Sequence, residues 1–327
     1  MTTFLTYFGQ PARLTYIFFL FLLSCQPAEQ ASTTTEESPE LARWQFNDYP
    51  DLKLGFTTQN FLPVLDVTTE NARKLISYAA EEGYSWIELR DPDATLSREE
   101  AEKIAEFARQ NDIEVSYAIQ KGLLDPDFWP TFQRGVENAA VFEGPRLFRS
   151  LGSFAEFNGN PEKLGWSEEE LMRLVNIADS AAGIAEEQNL QYVIENAAEA
   201  FFGEETAYYG IAELFEKTSP EVGWQFDTAN PFSVSRVHPP ADEVGQYLRA
   251  YADNLFYIHL KSADNGQAQT TLQANPLPFA EVFQVMQEYE VPYVAIELQA
   301  VDNEQQAFEN MSKSLQYLEQ EGFISKP

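Results

Sequence analysis

At 327 residues the chain is long enough for one large domain or two small ones, and its 44% hydrophobic content supports a sizeable core. Fifty-two acidic against 21 basic side chains give a formal net charge of −31. A surface of that sign repels phosphate backbones and anionic headgroups, which argues against nucleic acid as a partner.

The N-terminus suggests a compartment. Arg13 precedes an apolar run over 14–23, which is too short to span a bilayer and has the length of a signal-peptide core. The run ends in Leu22-Leu23-Ser24-Cys25, which resembles a bacterial lipobox, and Cys25 is the only cysteine in the chain. The expectation is a removed leader over 1–24 and a lipid on Cys25. The domain would then sit in the cell envelope, facing the periplasm or the exterior, with membrane contact through the anchor only. Residues 26–43 are rich in Ser, Thr, Glu, Pro and Ala and cannot bury enough surface to fold. They read as a tether over 25–43, ahead of a folded domain over 44–327.

From Leu52 onward, strand-like and helix-like runs alternate. A strand over 53–56 leads to a helix over 69–82 with Ala72, Leu75, Ile76, Ala79 and Ala80 inward and Gly83 as its stop. A strand over 85–89 leads to a helix opened by the capping box of Ser97 and Glu100, with Ile104, Ala105 and Ala108 inward. Strands over 114–119 and 146–151 are each followed by a helix, over 128–141 and from Ser167 to Gln188. The second of these repeats the capping box with Ser167 and Glu170. A strand over 190–195 precedes a helix over 205–216, and a strand over 223–227 precedes a helix over 242–252. The seventh strand, over 255–261, alternates cleanly: Phe256, Ile258 and Leu260 share one face, Tyr257, His259 and Lys261 the other. A helix over 278–288, a strand over 293–298 and a helix over 304–319 complete the series. Eight strand–helix units over roughly 270 residues predict an α/β fold of the (β/α)₈ TIM-barrel class. An open doubly wound sheet would bring a Gly-rich phosphate turn after the first strand, and Gly55-Phe56-Thr57-Thr58 is none.

In a barrel of this kind, chemistry gathers at the C-terminal ends of the strands. Four consecutive ends carry metal-ligand residue types: Glu195 in Ile-Glu-Asn, Asp227 in Phe-Asp-Thr-Ala-Asn, His259 in Ile-His-Leu-Lys, and Glu297 in Ile-Glu-Leu. Each lies about one strand-plus-helix unit from the next. Three carboxylates and one imidazole form a mostly oxygen site for one divalent ion, which suits Mn²⁺, Mg²⁺ or Co²⁺ better than Zn²⁺. Glu88, Arg90 and Arg149 lie near other strand ends and would reach the barrel mouth, with Glu88 and Arg149 as candidate substrate contacts. His238, beside two prolines, reads as a surface residue.

Together the four motifs resemble the xylose-isomerase-like barrel superfamily, and within it the sugar phosphate isomerase/epimerase and ketose 3-epimerase branch. The resemblance covers roughly residues 50–322. It implies that Glu195, Asp227, His259 and Glu297 bind the ion, and that Glu195 and Glu297 also exchange the proton of the substrate carbon. Two positions depart from the ketose epimerases, which place a histidine three residues past the aspartate and an arginine six past the metal histidine. Here these are Asn230 and Asn265, so Asn230 and Lys261 become the candidate substrate contacts.

The expected reaction is proton transfer next to a carbonyl, through an enediolate, on a sugar or sugar derivative. The same apparatus would serve β-elimination from a 3-keto-glycoside, and a non-catalytic, lipid-anchored carbohydrate-binding protein is the third reading. Both glutamates are superfluous to a binder. The DNA-repair endonucleases of the superfamily use several zinc ions and many histidines, whereas this chain has two histidines.

Overall fold

A computed structural model of the chain describes residues 42–327 except 159, 161, 205–206, 234–242, 251, 265 and 275–276. The proposed leader, Cys25, residues 26–41 of the proposed tether, His238 and Asn265 therefore lie outside the described residues; the tether's last residue, Arg43, instead belongs to the folded domain, donating to the backbone carbonyls of Tyr84, Asn111 and Asp112. Among the described residues no helix is long and apolar enough to cross a membrane.

Eight parallel strands close into a barrel: β1 (Lys53–Thr57), β2 (Trp86–Arg90), β3 (Glu114–Gly122), β4 (Leu147–Leu151), β5 (Gln191–Glu195), β6 (Gly223–Asp227), β7 (Leu255–Leu260) and β8 (Tyr293–Ile296). They stand in chain order, and β8 pairs with β1 to complete the ring. The main helices between and after them are α1 (Thr69–Glu82), α2 (Arg98–Gln110), α3 (Phe128–Ala139), α4 (Glu168–Glu187), α5 (Ile211–Lys217), α6 (Val244–Ala250), α7 (Phe279–Glu288) and α8 (Glu304–Gln320), with a single helical turn at Asn230–Ser233. Both expected capping boxes form, with the Ser97 and Ser167 hydroxyls accepting from the backbone N–H of Glu100 and Glu170. Gly83 ends α1 at φ 86°, a left-handed conformation that glycine adopts without steric cost.

Alternation along each strand separates two apolar regions. The outward faces meet the helices in one large buried cluster that includes Leu54, Phe56, Ile87, Ile194, Phe226 and Ile258. Inside the barrel, Trp86, Leu147, Val193, Tyr257 and Ala295 form a second cluster, with Phe256 and Tyr293 packed against it. Gly55 belongs to this interior for a steric reason. A Cβ there would meet the Trp86 indole Nε1 at 2.5 Å, so the small residue on β1 admits the large one on β2. The plug fills the N-terminal half of the barrel. The next inward positions toward the C-terminal ends are charged, which is where alternation places the predicted site.

Three local differences have identifiable causes. The register between β6 and β7 shifts, so that Trp224 pairs with Leu255 and Gln225 with Tyr257. Phe256 lies in this bulge and joins the interior plug instead of the face it was expected to share with Ile258 and Leu260. Of the helix expected over 205–216, residues 205–206 lie outside the described residues and the helix observed begins at Ile211, because Trp166 and Tyr209 exchange backbone hydrogen bonds that hold Tyr209 in a bridge. β8 stops at Ile296 because the Leu298 N–H turns to the Asn60 side-chain oxygen at 2.8 Å.

Candidate metal centre

The C-terminal ends of four neighbouring strands bring the predicted ligands together. Glu195 and Asp227 end β5 and β6, His259 is the penultimate residue of β7, and Glu297 follows β8 by one residue. Asp227 and His259 are direct register partners, and the Glu297 N–H bonds the Leu260 carbonyl at 3.0 Å. One ligand atom from each of Glu195, Asp227, His259 and Glu297 lies within 4.8 Å of the others, and all four side chains are buried.

The Asp-Thr-Ala-Asn segment explains why the aspartate presents one oxygen. Asp227 Oδ1 accepts from the backbone N–H groups of Ala229 and Asn230, both at 2.8 Å, which fixes the turn after β6. Oδ2 remains directed at the cluster, 3.5 Å from Lys261 Nζ. Thr228 ties the neighbouring strand end in place, its hydroxyl donating to the Lys261 carbonyl at 2.7 Å. Asn196 locks β5 to β6, accepting from the Asp227 N–H at 2.8 Å. Two of the four candidate substrate contacts, Lys261 and Asn230, stand beside the ligand group. Lys261 Nζ lies 2.8 Å from Glu297 Oε1. Asn230 donates to the Asn196 carbonyl at 2.9 Å, while its buried Oδ1 finds no hydrogen-bond partner.

Glu88 and Arg149 reach the ligand group from within the barrel, touching His259 and Glu195. Both are buried inside the barrel, and Arg149 bridges the Glu88 and Glu195 carboxylates. Arg90 joins them, its Nη2 3.4 Å from both Glu195 Oε2 and Glu297 Oε2. Thr57 and Tyr257, which the sequence did not mark as site residues, donate to Glu88 at 2.9 and 2.6 Å. Their signal was available: Tyr257 stands two residues before His259, on the same face of an alternating strand.

The buried acids of the cluster are balanced by buried cations. Burial alone would raise Glu195, Glu297 and Glu88, but neighbouring cations outweigh it and hold all three below the usual carboxylate range. Arg149 is the main one at Glu195 and Glu88, and Lys261 at Glu297. Asp227 has the weakest compensation, and burial pushes it up to about 6 against the pull of Lys261. Burial would lower the His259 imidazole, yet Glu88 and Glu297 drive it well above its ordinary value. His259 Nδ1 lies 2.9 Å from Glu297 Oε2, close enough for charge attraction but out of line for a hydrogen bond. A buried nitrogen without an aligned partner, beside three carboxylates that already draw in the Lys261 ammonium, fits a divalent ion of hard-to-borderline character.

A further buried acid lies outside the ligand group. Glu199 accepts from the Ser153 hydroxyl and from the Ala197 N–H, and burial pushes it up to about 7. Because its folded-state value is raised, the stability it contributes is complete below its ordinary value and is lost as pH rises to about 7. That loss is on the order of 3 kcal/mol. Urea unfolding of the parent and of Glu199→Gln at pH 5 and 8 should show the parent losing stability over this interval and the variant losing much less. Parallel pH dependence in the two proteins would rule the effect out.

The model of the xylose isomerase-like TIM barrel family matches residues 76–321. No curated protein matches the chain. Among solved structures, a D-allulose 3-epimerase from Methylomonas sp. superposes with a TM-score of 0.60 at 14% identity, covering 82% of this chain and 97% of that one. A sugar phosphate isomerase/epimerase from Parabacteroides distasonis gives 0.57 at 15% identity, covering 84% of this chain and 98% of that one. A xylose isomerase-like TIM barrel protein from Mycobacterium smegmatis, in complex with magnesium, gives 0.58 at 15% identity, covering 82% and 96%. At such identities the likeness establishes the fold.

Proposed function

Because the chain belongs to the xylose isomerase-like TIM barrel family, we propose that it is a divalent-metal-dependent isomerase or epimerase of a sugar or sugar derivative. The observation that carries this reading is the convergence of Glu195 and Glu297, from non-adjacent strands, on one buried ligand cluster with Asp227 and His259. The solved relatives named for sugar epimerisation or isomerisation, and the one bound to magnesium, support it.

A divalent ion held by these four residues would supply Lewis-acid stabilisation of the negative charge that develops on the substrate's carbonyl oxygen. The chain's own groups handle the proton. One of Glu195 and Glu297 removes it from the carbon beside the carbonyl, and the other returns it to the opposite face or to the adjacent carbon. Arg90 contacts one oxygen of each glutamate and keeps both ionised and oriented between turnovers. Asn230 Oδ1 is a buried acceptor suited to a substrate hydroxyl, and the Lys261 ammonium is a donor for an oxyanion.

The test is to incubate the full-length chain with Mn²⁺ and unlabelled ketoses, D-allulose among them, in D₂O and to follow the products by NMR. Deuterium uptake at the carbon next to the carbonyl without bond cleavage is the expected result. Release of a fragment from a 3-keto-glycoside would replace this reading with β-elimination. Saccharide binding with no exchange in any substrate would replace it with a carbohydrate-binding protein.

A further inference from the structure

We propose that Glu88 is a positioning residue that sets which nitrogen His259 offers to the ligand cluster. The inference rests on the metal-site reading above and adds a residue to it. The two nitrogens of the ring face different surroundings. Nε2 lies 3.1 Å from Glu88 Oε2, whereas Nδ1 lies 2.9 Å from Glu297 Oε2 and 3.6 Å from Glu195 Oε1. Glu88 stands outside the group whose ligand atoms converge, on the far side of the imidazole.

The identity of Glu88's other partners fixes the direction of that hydrogen bond. Thr57 Oγ1 donates to Oε1 at 2.9 Å and Tyr257 OH to Oε2 at 2.6 Å. Arg149 donates through Nε at 3.2 Å and Nη2 at 3.3 Å, and Arg90 Nη2 lies 3.6 Å from Oε1. A carboxylate surrounded by donors accepts from all of them and has no proton to give. With an ion in the cluster the ring keeps a single proton, which therefore belongs on Nε2, and Nδ1 would offer the in-plane lone pair that a metal ion needs. Glu88 is itself immobile, being fully buried on β2 and held at both oxygens, so it fixes the ring's rotation as well as its tautomer. The Tyr257 ring stands edge-on to the imidazole at 5.5 Å and supports the same orientation.

Two measurements on the full-length chain test this. In a His238→Gln background the one remaining imidazole is His259, and ¹⁵N-histidine spectra with Mg²⁺ should show a proton on Nε2. Glu88→Gln should raise the Kd for Mn²⁺ about ten- to a hundredfold. Tyr257→Phe removes another donor to the same carboxylate without touching the ring, so it should leave that Kd within about threefold of the parent. A ring protonated at Nδ1 alone, or a Glu88→Gln protein whose Mn²⁺ affinity stays within about threefold of the parent, would overturn the proposal. If the parent binds no divalent ion, the metal-site reading fails and the proposal falls with it, whereas metal binding with the proton at Nδ1 in the Mg²⁺ spectrum, or an affinity unmoved by Glu88→Gln, sinks the proposal alone. That spectrum needs no change at Glu88, so it also decides if Glu88→Gln does not fold.

Discussion

At saturating Mn²⁺, Glu195→Gln and Glu297→Gln are each expected to slow exchange of the substrate's carbon-bound proton by about 10²- to 10⁴-fold. The substitution is nearly isosteric and removes the one property that proton transfer requires, a carboxylate able to take and return a proton. In Glu297→Gln the side-chain oxygen can still accept from Lys261, whose ammonium lies 2.8 Å from Oε1 in the parent, so the local packing has reason to survive. Both residues are also proposed ligands. Titrating Mn²⁺ in each variant separates weaker metal binding, which saturation overcomes, from loss of the base, which it does not. Deuterium uptake measured from each epimer separately then assigns a face of the substrate to each glutamate. A variant that exchanges at the parental rate under saturation would remove that glutamate from the chemistry.

Replacing Arg149 with Met should lower stability by about 3–5 kcal/mol, the usual cost of leaving a buried partner uncompensated. Here two partners are stranded. Arg149 is 1% exposed and contacts both Glu88 and Glu195, so its removal leaves two carboxylates in the barrel with less countercharge. Of the cations beside Glu195, Arg149 does most to offset burial, and without it the carboxyl moves up toward the neutral form. Urea unfolding is the measurement. Lys74→Met provides the contrast, since its pair with Glu304 is solvent-exposed and such pairs contribute little. Equal losses in the two variants would mean that the interior network is far weaker than its burial implies.

How much of this was legible in advance follows the range of the forces involved. The capping boxes of Ser97 with Glu100 and Ser167 with Glu170 span three residues, and both formed as read. The helix starting at Ile211 was misplaced because the competing interaction, Trp166 with Tyr209, joins two loops more than 40 residues apart. The bulge at Phe256 was invisible for a related reason: alternation predicts a face, and a register shift against β6 changes it.

The sequence by itself determined the eightfold strand–helix rhythm and the four strand-end residues that converge, the proposed ligands. Alternation and strand ends are local properties, and a barrel turns every strand end toward one mouth. Tertiary structure alone decided what lies beneath those ligands. Glu88 meets His259 across 171 positions of chain only because β8 closes on β1 and turns the inward faces of β2 and β7 toward a common axis. A charged residue on an inward face must be compensated within a few ångströms, and which cation or imidazole does so is set by barrel closure, not by neighbours in the chain. The sequence therefore marked Glu88 and Arg149 singly, and the closed barrel joined them to each other and to His259 and Glu195.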